Sequence, residues 1–425
     1  MLDPHVIRTQ TAYVCERLAA RGIHPDFATY LAHDADLRAA RTRADELRGG
    51  RRRRARAFAA LEPGDPAAAR IREDGAAAAD DLAALTAHIA RLETDCRTFL
   101  EALPNLPDPD VPAGGKEANR VLRTLGDAPA LPEGRLDHVA LAERLRLIDY
   151  ERGVRIAGSG FWSYRGAGAR LEWALLNYFL EQHLTAGFEF VLPPHLATVE
   201  SVYTAGQYPK FAEDLYRIDT SGAGPQLFLL PTAETALANV HRGEVLDPDQ
   251  LPARYVAYTP CYRREAGGYR TAERGTLRGH QFNKVELFCY TRPEDSDAEH
   301  EALIARAEKL VADLGLHYRV TQLAAGDTSA AMARTVDIEV RLPSLDTYVE
   351  VSSVSNARDY QARRGQVRYR EHHGKPQLVH TLNASGLATS RLLPAILEQC
   401  QQSDGTVAVP AVLHRWTGTD TLRVP

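Results

Sequence analysis

A chain of 425 residues is too long for one ordinary compact core, so two domains are expected, and 44% hydrophobic with 25% charged residues is the make-up of a soluble globular protein. A net charge of −5 excludes a protein coated in positive charge for indiscriminate nucleic-acid binding, but not one that binds through a local patch. No apolar run approaches bilayer length, the N-terminus lacks the basic-then-apolar layout of a secretion signal, and the five cysteines (Cys15, Cys96, Cys261, Cys289, Cys400) have no metal-ligand spacing; the expectation is a cytoplasmic chain with reduced thiols, no zinc and no membrane partner.

In chain order, residues 1–25 predict a short helix started by Asp3-Pro4. Residues 27–101 are poor in Gly and Pro except at Glu62-Pro63-Gly64-Asp65-Pro66, a firm turn between two long helices. On the second helix Ala78, Leu82, Leu85, Ile89, Leu92, Cys96 and Phe99 step by four and three. Leu37, Ala40, Ala44 and Leu47 do so on the first, continuing through Arg51 and Arg54 to Phe58 and Leu61. That is the coiled-coil period, and it predicts an antiparallel two-helix arm roughly 50 Å long at 1.5 Å rise per residue. Gly49-Gly50 and Gly75 fall at about the same height from the turn and predict a shared soft point, since glycine weakens a helix by about 1 kcal/mol relative to Ala. The run Arg51-Arg52-Arg53-Arg54-Ala55-Arg56 reads, taken alone, either as a solvated basic face or as a phosphate-binding strip. The domain organisation expected is 1–102 for the arm-bearing N-terminal domain, a Pro-rich linker at 103–120, and 121–425 for the remainder. That remainder mixes amphipathic helices with alternating strands and has no βαβ glycine fingerprint. The fold class expected is α+β, an antiparallel sheet flanked by helices.

Four segments carry candidate chemistry. Residues 258–288 read as strand, Gly-rich polar loop, strand, and the loop is longer than an ordinary hairpin needs. It carries Arg270, Glu273, Arg274 and Arg278. It is either a solvated surface hairpin or a loop ordered over a polyphosphate by its guanidinium groups. The second segment is Leu230-Pro231-Thr232-Ala233-Glu234-Thr235, and the third is Tyr348-Val349-Glu350-Val351-Ser352-Ser353-Val354-Ser355-Asn356. The fourth, Thr381 to Leu393, runs into an apolar helix with Arg391 in its first turns. An arginine among Leu and Ala is costly unless it meets an anion.

These segments, in this order, resemble the three motifs of the class II aminoacyl-tRNA synthetases, and among them the seryl members. The resemblance includes Gly206-Gln207-Tyr208-Pro209-Lys210-Phe211, the Thr-Ala-Glu unit, Arg263-Arg264-Glu265-Ala266-Gly267, His280-Gln281-Phe282 with Lys284-Val285-Glu286, Ser352-Ser353-Val354-Ser355-Asn356, and Asn383 to Arg391. It ends in Gln401-Gln402-Ser403-Asp404-Gly405 and covers residues 1 to about 413. It implies activation of serine by ATP and its transfer to the 3′ end of serine tRNA. It implies Arg263 on the α-phosphate and on serine, Glu265 on the adenine amino group, Arg278 near the γ-phosphate, and Phe282 and Arg391 on the two faces of adenine. Arg263 and Arg391 would be catalytic. Arg264, Val351 and Ser352 join the implied ATP site, and Glu350 with Ser353 would hold Mg²⁺. Thr232, Ala233, Glu234, Glu286, Asn383 and Ser385 would form the serine pocket. The helix 167–185 with Val191-Leu192-Pro193-Pro194 would build a homodimer. The arm would bind tRNA through Arg51, Arg52, Arg53, Arg54 and Arg56.

Departures from the family pattern are Thr235-Ala236 after the Thr-Ala-Glu unit, Ala384 in motif 3, the tail His414 to Gly418, and the double glycine of the arm. They point to a divergent copy. Two other readings start from the same residues. One is an amino-acid-activating relative that serves a carrier protein or a biosynthetic pathway; the full-length arm weighs against it. The other is a non-catalytic RNA-binding regulator, against which stand Arg263, Glu265, Glu286 and Arg391.

Overall fold

The computed structural model describes residues 1–130, 132–222, 224–265 and 274–425. The chain forms two compact units. One comprises Leu2–Glu16 and Ile23–Leu103, and the other Met1, Arg17–Gly22 and Pro104–Pro425. No helix among the described residues is long and apolar enough to cross a membrane.

The single N-terminal helix expected is two, α1 (Pro4–Thr9) and α2 (Thr11–Ala19). The Asp3 carboxylate accepts from the His5 amide as foreseen, but the backbone leaves the helical region at Gln10. The arm is α3 (Phe27–Ala59) and α4 (Ala67–Ala102), capped by Asp26 and separated by the Pro-Gly turn. Its seam is buried at Phe27, Tyr30, Leu37, Ala40 and Ala44 on α3 and at Ala78, Leu92, Cys96 and Leu100 on α4. Tyr30 stacks on Phe99 with ring centroids 5.0 Å apart. Burial on α3 stops at Ala44, where the seam positions become Arg51 and Arg54, because guanidinium groups stay in water. Both helices run unbroken through Gly49-Gly50 and Gly75.

The other unit is built on an eight-stranded sheet among the described residues. Its strands are β1 (Arg120–Leu125), β2 (Glu189–Val191), β3 (Ala253–Tyr262), β4 (Gln281–Thr291), β5 (Tyr318–Gln322), β6 (Arg334–Leu342), β7 (Thr347–Arg358) and β8 (His380–Ala388). Their spatial order is β1-β5-β6-β7-β8-β4-β3-β2, antiparallel except for β2 beside β3. Alternation along the strands sorts the side chains. One set (Val285, Leu287 and Cys289 on β4; Val336, Ile338 and Val340 on β6; Val354 on β7) packs against helices α7 (Gly166–Thr185), α8 (Ser296–Asp313) and α9 (Thr389–Gln399). On the opposite face polar side chains line the cleft described below, while Tyr255 and Ala257 on β3 and Phe288 and Tyr290 on β4 join a second hydrophobic cluster. The shorter helices α5 (His138–Arg144) and α6 (Tyr150–Ala157) precede α7. The Pro-rich segment is held by hydrogen bonds rather than loose. The amides of Asn105 and Asp108 donate to the carbonyls of Ala330 and Ala333, and the Asn105 side chain donates to those of Ala331 and Ala357.

A bulge interrupts β7. Ile338 pairs with Ser352 and Glu339 with Glu350, leaving Val351 unopposed. The bulge turns Val351 into the core and brings Glu350 onto the same face as Ser353 and Ser355.

Candidate active site

The polar face of the sheet forms a cleft of about 460 Å³, with an adjoining recess of about 80 Å³. Arg263 follows β3, and its Nε donates to the Pro231 carbonyl at 3.3 Å. Its guanidinium carbon lies 5.1 Å from the centre of the Phe282 ring, on β4. Arg391, in the first turn of α9, donates through Nη1 to the Glu350 carboxylate at 3.0 Å and through Nε to the Leu277 carbonyl at 3.2 Å. Both arginines line the same recess, together with Phe282 on β4. Glu265 has a left-handed backbone (φ 51°) and pairs with Arg278 at 2.7 Å. Glu265 and Arg278 also line the recess. Arg270 and Glu273 lie outside the described residues.

The deeper end of the cleft is a buried polar network. Glu286 on β4 is fully buried and forms an ion pair with Lys284, two residues back on the same face. The Lys284 ammonium also donates to the Thr232 hydroxyl at 2.7 Å. Thr232 donates to Glu286 at 3.4 Å, and Asn383 Nδ2 donates to the other Glu286 oxygen at 3.0 Å. Glu234 accepts from Gln361 Nε2 at 2.7 Å, while Gln361 Oε1 accepts from Thr381. Burial, and next the charge of Glu286, push the Glu234 carboxyl up to about 7. Two carboxyl groups and one lysine therefore share this end of the cleft, and their charge balance favours one further cation, such as an ammonium.

Glu350 and Ser353 line the cleft together. Across from Ser353 is Asp337, 7% exposed, whose Oδ1 is buried without a hydrogen-bond partner. Burial and the neighbouring Glu350 raise the Asp337 carboxyl well above the usual range. A carboxylate, a hydroxyl and this uncompensated oxygen fit a hard divalent cation. Among the described residues no three His, Cys, Asp or Glu side chains converge as a metal cage. The fit is thus with an ion that takes most of its ligands from a bound molecule or water.

Of the residues singled out from sequence, Thr232, Glu234, Arg263, Glu265, Arg278, Phe282, Glu350, Ser353, Asn383, Ser385 and Arg391 line the cleft or its recess, with Glu286 beneath. Four do not line it. Arg264 is exposed, its side chain donating to the Glu213 carbonyl. Ala233 is packed in a hydrophobic cluster and Val351 in the main core. Ser352 donates to the Ser385 carbonyl at 2.6 Å. Arg51, Arg52, Arg53 and Arg56 are exposed and Arg54 half-buried on α3, and none of them forms an ion pair with a described residue. Sequence reasoning missed Lys284, Gln361, Asp337 and Gln207, whose carbonyl oxygen accepts from Thr235. Lys284 had a signal, its two-residue spacing from both Phe282 and Glu286 on one strand. Gln361 had none.

Residues 1–107 match the family "Seryl-tRNA synthetase N-terminal domain", and residues 216–400 match "tRNA synthetase class II core domain (G, H, P, S and T)". The chain is 57% identical over 351 residues to serine–tRNA ligase 2 of Clostridium acetobutylicum, covering 80% of this chain and 83% of that one. It is 43% identical over 424 residues to the serine–tRNA ligase of Acidithiobacillus ferrooxidans, covering 99% of each. Among solved structures, the seryl-tRNA synthetase of Pyrococcus horikoshii complexed with ATP superposes with a TM-score of 0.92 at 32% identity, covering all of both chains. The cytoplasmic serine–tRNA ligase of Naegleria fowleri in complex with AMP gives 0.86 at 25% identity over 98% of this chain and 96% of that one.

Proposed function

The chain belongs to the seryl-tRNA synthetase family of class II aminoacyl-tRNA synthetases, and on that premise we propose which of its residues carry the family's reaction. It is an ATP-dependent serine–tRNA ligase. In the first step a serine carboxylate oxygen attacks the α-phosphorus of ATP, an O–P bond forms, and the bond to pyrophosphate breaks. In the second, a ribose hydroxyl at the 3′ end of tRNA attacks the acyl carbon and AMP leaves.

Attacking carboxylate and triphosphate repel each other, so the first requirement is cancellation of charge. Arg263 and Arg391 supply it, and the observation that carries this reading is that both line one recess. Adenine stacks on Phe282, whose ring lies 5.1 Å from the Arg263 guanidinium carbon. Glu265 accepts from the adenine amino group, and Arg278 turns from Glu265 towards the terminal phosphates. Mg²⁺ held by Glu350 and Ser353 would neutralise phosphate oxygens and orient the leaving pyrophosphate. The carboxylate is already ionised, so no general base is needed.

The serine ammonium binds Glu286, and the hydroxyl donates to Glu234 with Thr232, Asn383 and Ser385 around it. A pocket that pairs a hydroxyl rejects alanine, because its own buried groups would be left unpaired. The arm binds tRNA through Arg51 to Arg56 by phosphate contacts and RNA shape. Two copies associate through α7 and the strand before Pro194, where Trp173, Phe190 and Leu192 are exposed.

Serine-dependent ATP–pyrophosphate exchange tests the assignment. Arg263→Ala and Arg391→Ala should each lower it by roughly 10²–10³-fold with the circular dichroism spectrum unchanged. Exchange within a few-fold of the unaltered protein would show that these arginines do not face the reacting phosphate.

A further inference from the structure

The loop between β3 and β4 returns to the sheet through Arg274–Arg278, and this stem delivers Arg278 to the cleft. Three side chains anchor it. Thr276 donates to the Ser390 carbonyl at 2.6 Å, and Arg391 donates to that of Leu277 at 3.2 Å. The third anchor, His138, lies outside the cleft and takes no part in the chemistry described above. It is the first residue of α5, only 4% exposed, and its Nε2 lies 3.2 Å from the Arg274 carbonyl oxygen. Gly275 sits directly on the ring. Its φ is +68°, and a Cβ there would lie 3.0 Å from His138 Nε2 and 2.9 Å from a Val139 methyl.

The other ring nitrogen, Nδ1, is 2.7 Å from Glu398 Oε1 on α9. Glu398 also accepts from the His138 amide at 2.9 Å and from the amide and hydroxyl of Ser344 at 2.8 and 2.7 Å. Burial alone would raise the Glu398 carboxyl, but the hydrogen bonds from His138 and Ser344 outweigh it and hold the group below its usual range. Glu398 is therefore an acceptor only. A backbone carbonyl is also an acceptor only. Both ring nitrogens therefore face groups that accept hydrogen bonds.

We propose that His138 is a positioning residue for ATP: its ring, oriented by Glu398, holds the Arg274 carbonyl and so fixes the stem that aims Arg278 at the triphosphate. This rests on the reading of the cleft as the ATP site.

Two measurements decide it. In the unaltered protein, ¹⁵N shifts of the His138 ring should report hydrogen on Nε2, the nitrogen that faces the Arg274 carbonyl; an Nε2 without hydrogen overturns the proposal whatever the enzyme does. In pyrophosphate exchange, His138→Asn can keep the Glu398 bond but cannot reach Arg274, and should raise KM for ATP about tenfold with KM for serine within about twofold. His138→Gln can still reach Arg274 and should keep KM for ATP within about threefold of the unaltered protein. A merely structural histidine predicts lower thermal stability in both variants with KM for ATP unmoved, and that outcome overturns the proposal. Absence of serine-dependent exchange in the unaltered protein would instead fault the functional reading, leaving the ring protonation to be judged by NMR.

Discussion

Glu234 shows how one side chain's environment sets a measurable property. Desolvation, and then repulsion from Glu286, lift its carboxyl to about 7, against an ordinary 4.5. The carboxylate form accepts from a serine hydroxyl more strongly than the neutral acid does. The value of kcat/KM for serine should therefore fall as pH drops below about 7, because that ratio reports groups of the free enzyme. Glu234→Gln should lower the plateau and abolish that limb; a variant that keeps the limb would assign it to another group. The stability linkage runs in the opposite sense. Folding raises this pKa, so the contribution of Glu234 to stability is fully present below about 4.5 and is lost as pH rises through about 7. That Glu234 and Glu286 belong to a polar pocket was legible in the sequence from their motifs. That Gln361 holds Glu234 was not, because the two are 127 residues apart and meet only through the packing of a short helix against β8.

At the scale of elements, the helical arm and the strand bulge sit at opposite ends of legibility. The arm follows from local rules: a three-four apolar spacing, few breakers and a Pro-Gly turn give α3 and α4 within a residue or two of their expected ends. The same rules place Arg51 to Arg54 on a helix whose seam has already left the core. Replacing these four by Ala should spare pyrophosphate exchange while raising KM for tRNA in charging and flattening its dependence on salt. Charging unchanged at physiological ionic strength would make the run a solvated face. The bulge on β7 has no such signature. Strict alternation would have put Val351 with Ser353 and sent Glu350 to the core. One unopposed residue reverses this, and it is seen only in the pairing with β6.

For the molecule as a whole, α7 packs Leu171, Leu175 and Phe179 into the core while Trp173 and Leu184 stay 55% and 45% exposed. On β2 and just after it, Phe190 and Leu192 are 40% and 72% exposed. These exposed apolar groups are the ones that the proposed association of two copies would cover. Leu192→Asp should shift the protein towards monomer in sedimentation velocity and lower exchange activity. A variant that remains dimeric would locate the interface elsewhere.

The sequence by itself determined what depends on neighbours along the chain: helix period, turn chemistry, strand alternation, and the identity of the guanidinium and carboxylate groups that a reaction between anions requires. Tertiary structure alone decided what depends on partners far along the chain. It turned Arg264, Ala233, Val351 and Ser352 away from the cleft, brought Lys284 and Gln361 into its polar network, and seated His138 between Glu398 and Arg274. The physical reason is that a buried polar group must find its hydrogen-bond partner wherever the fold brings one, and no local pattern in the sequence encodes that meeting.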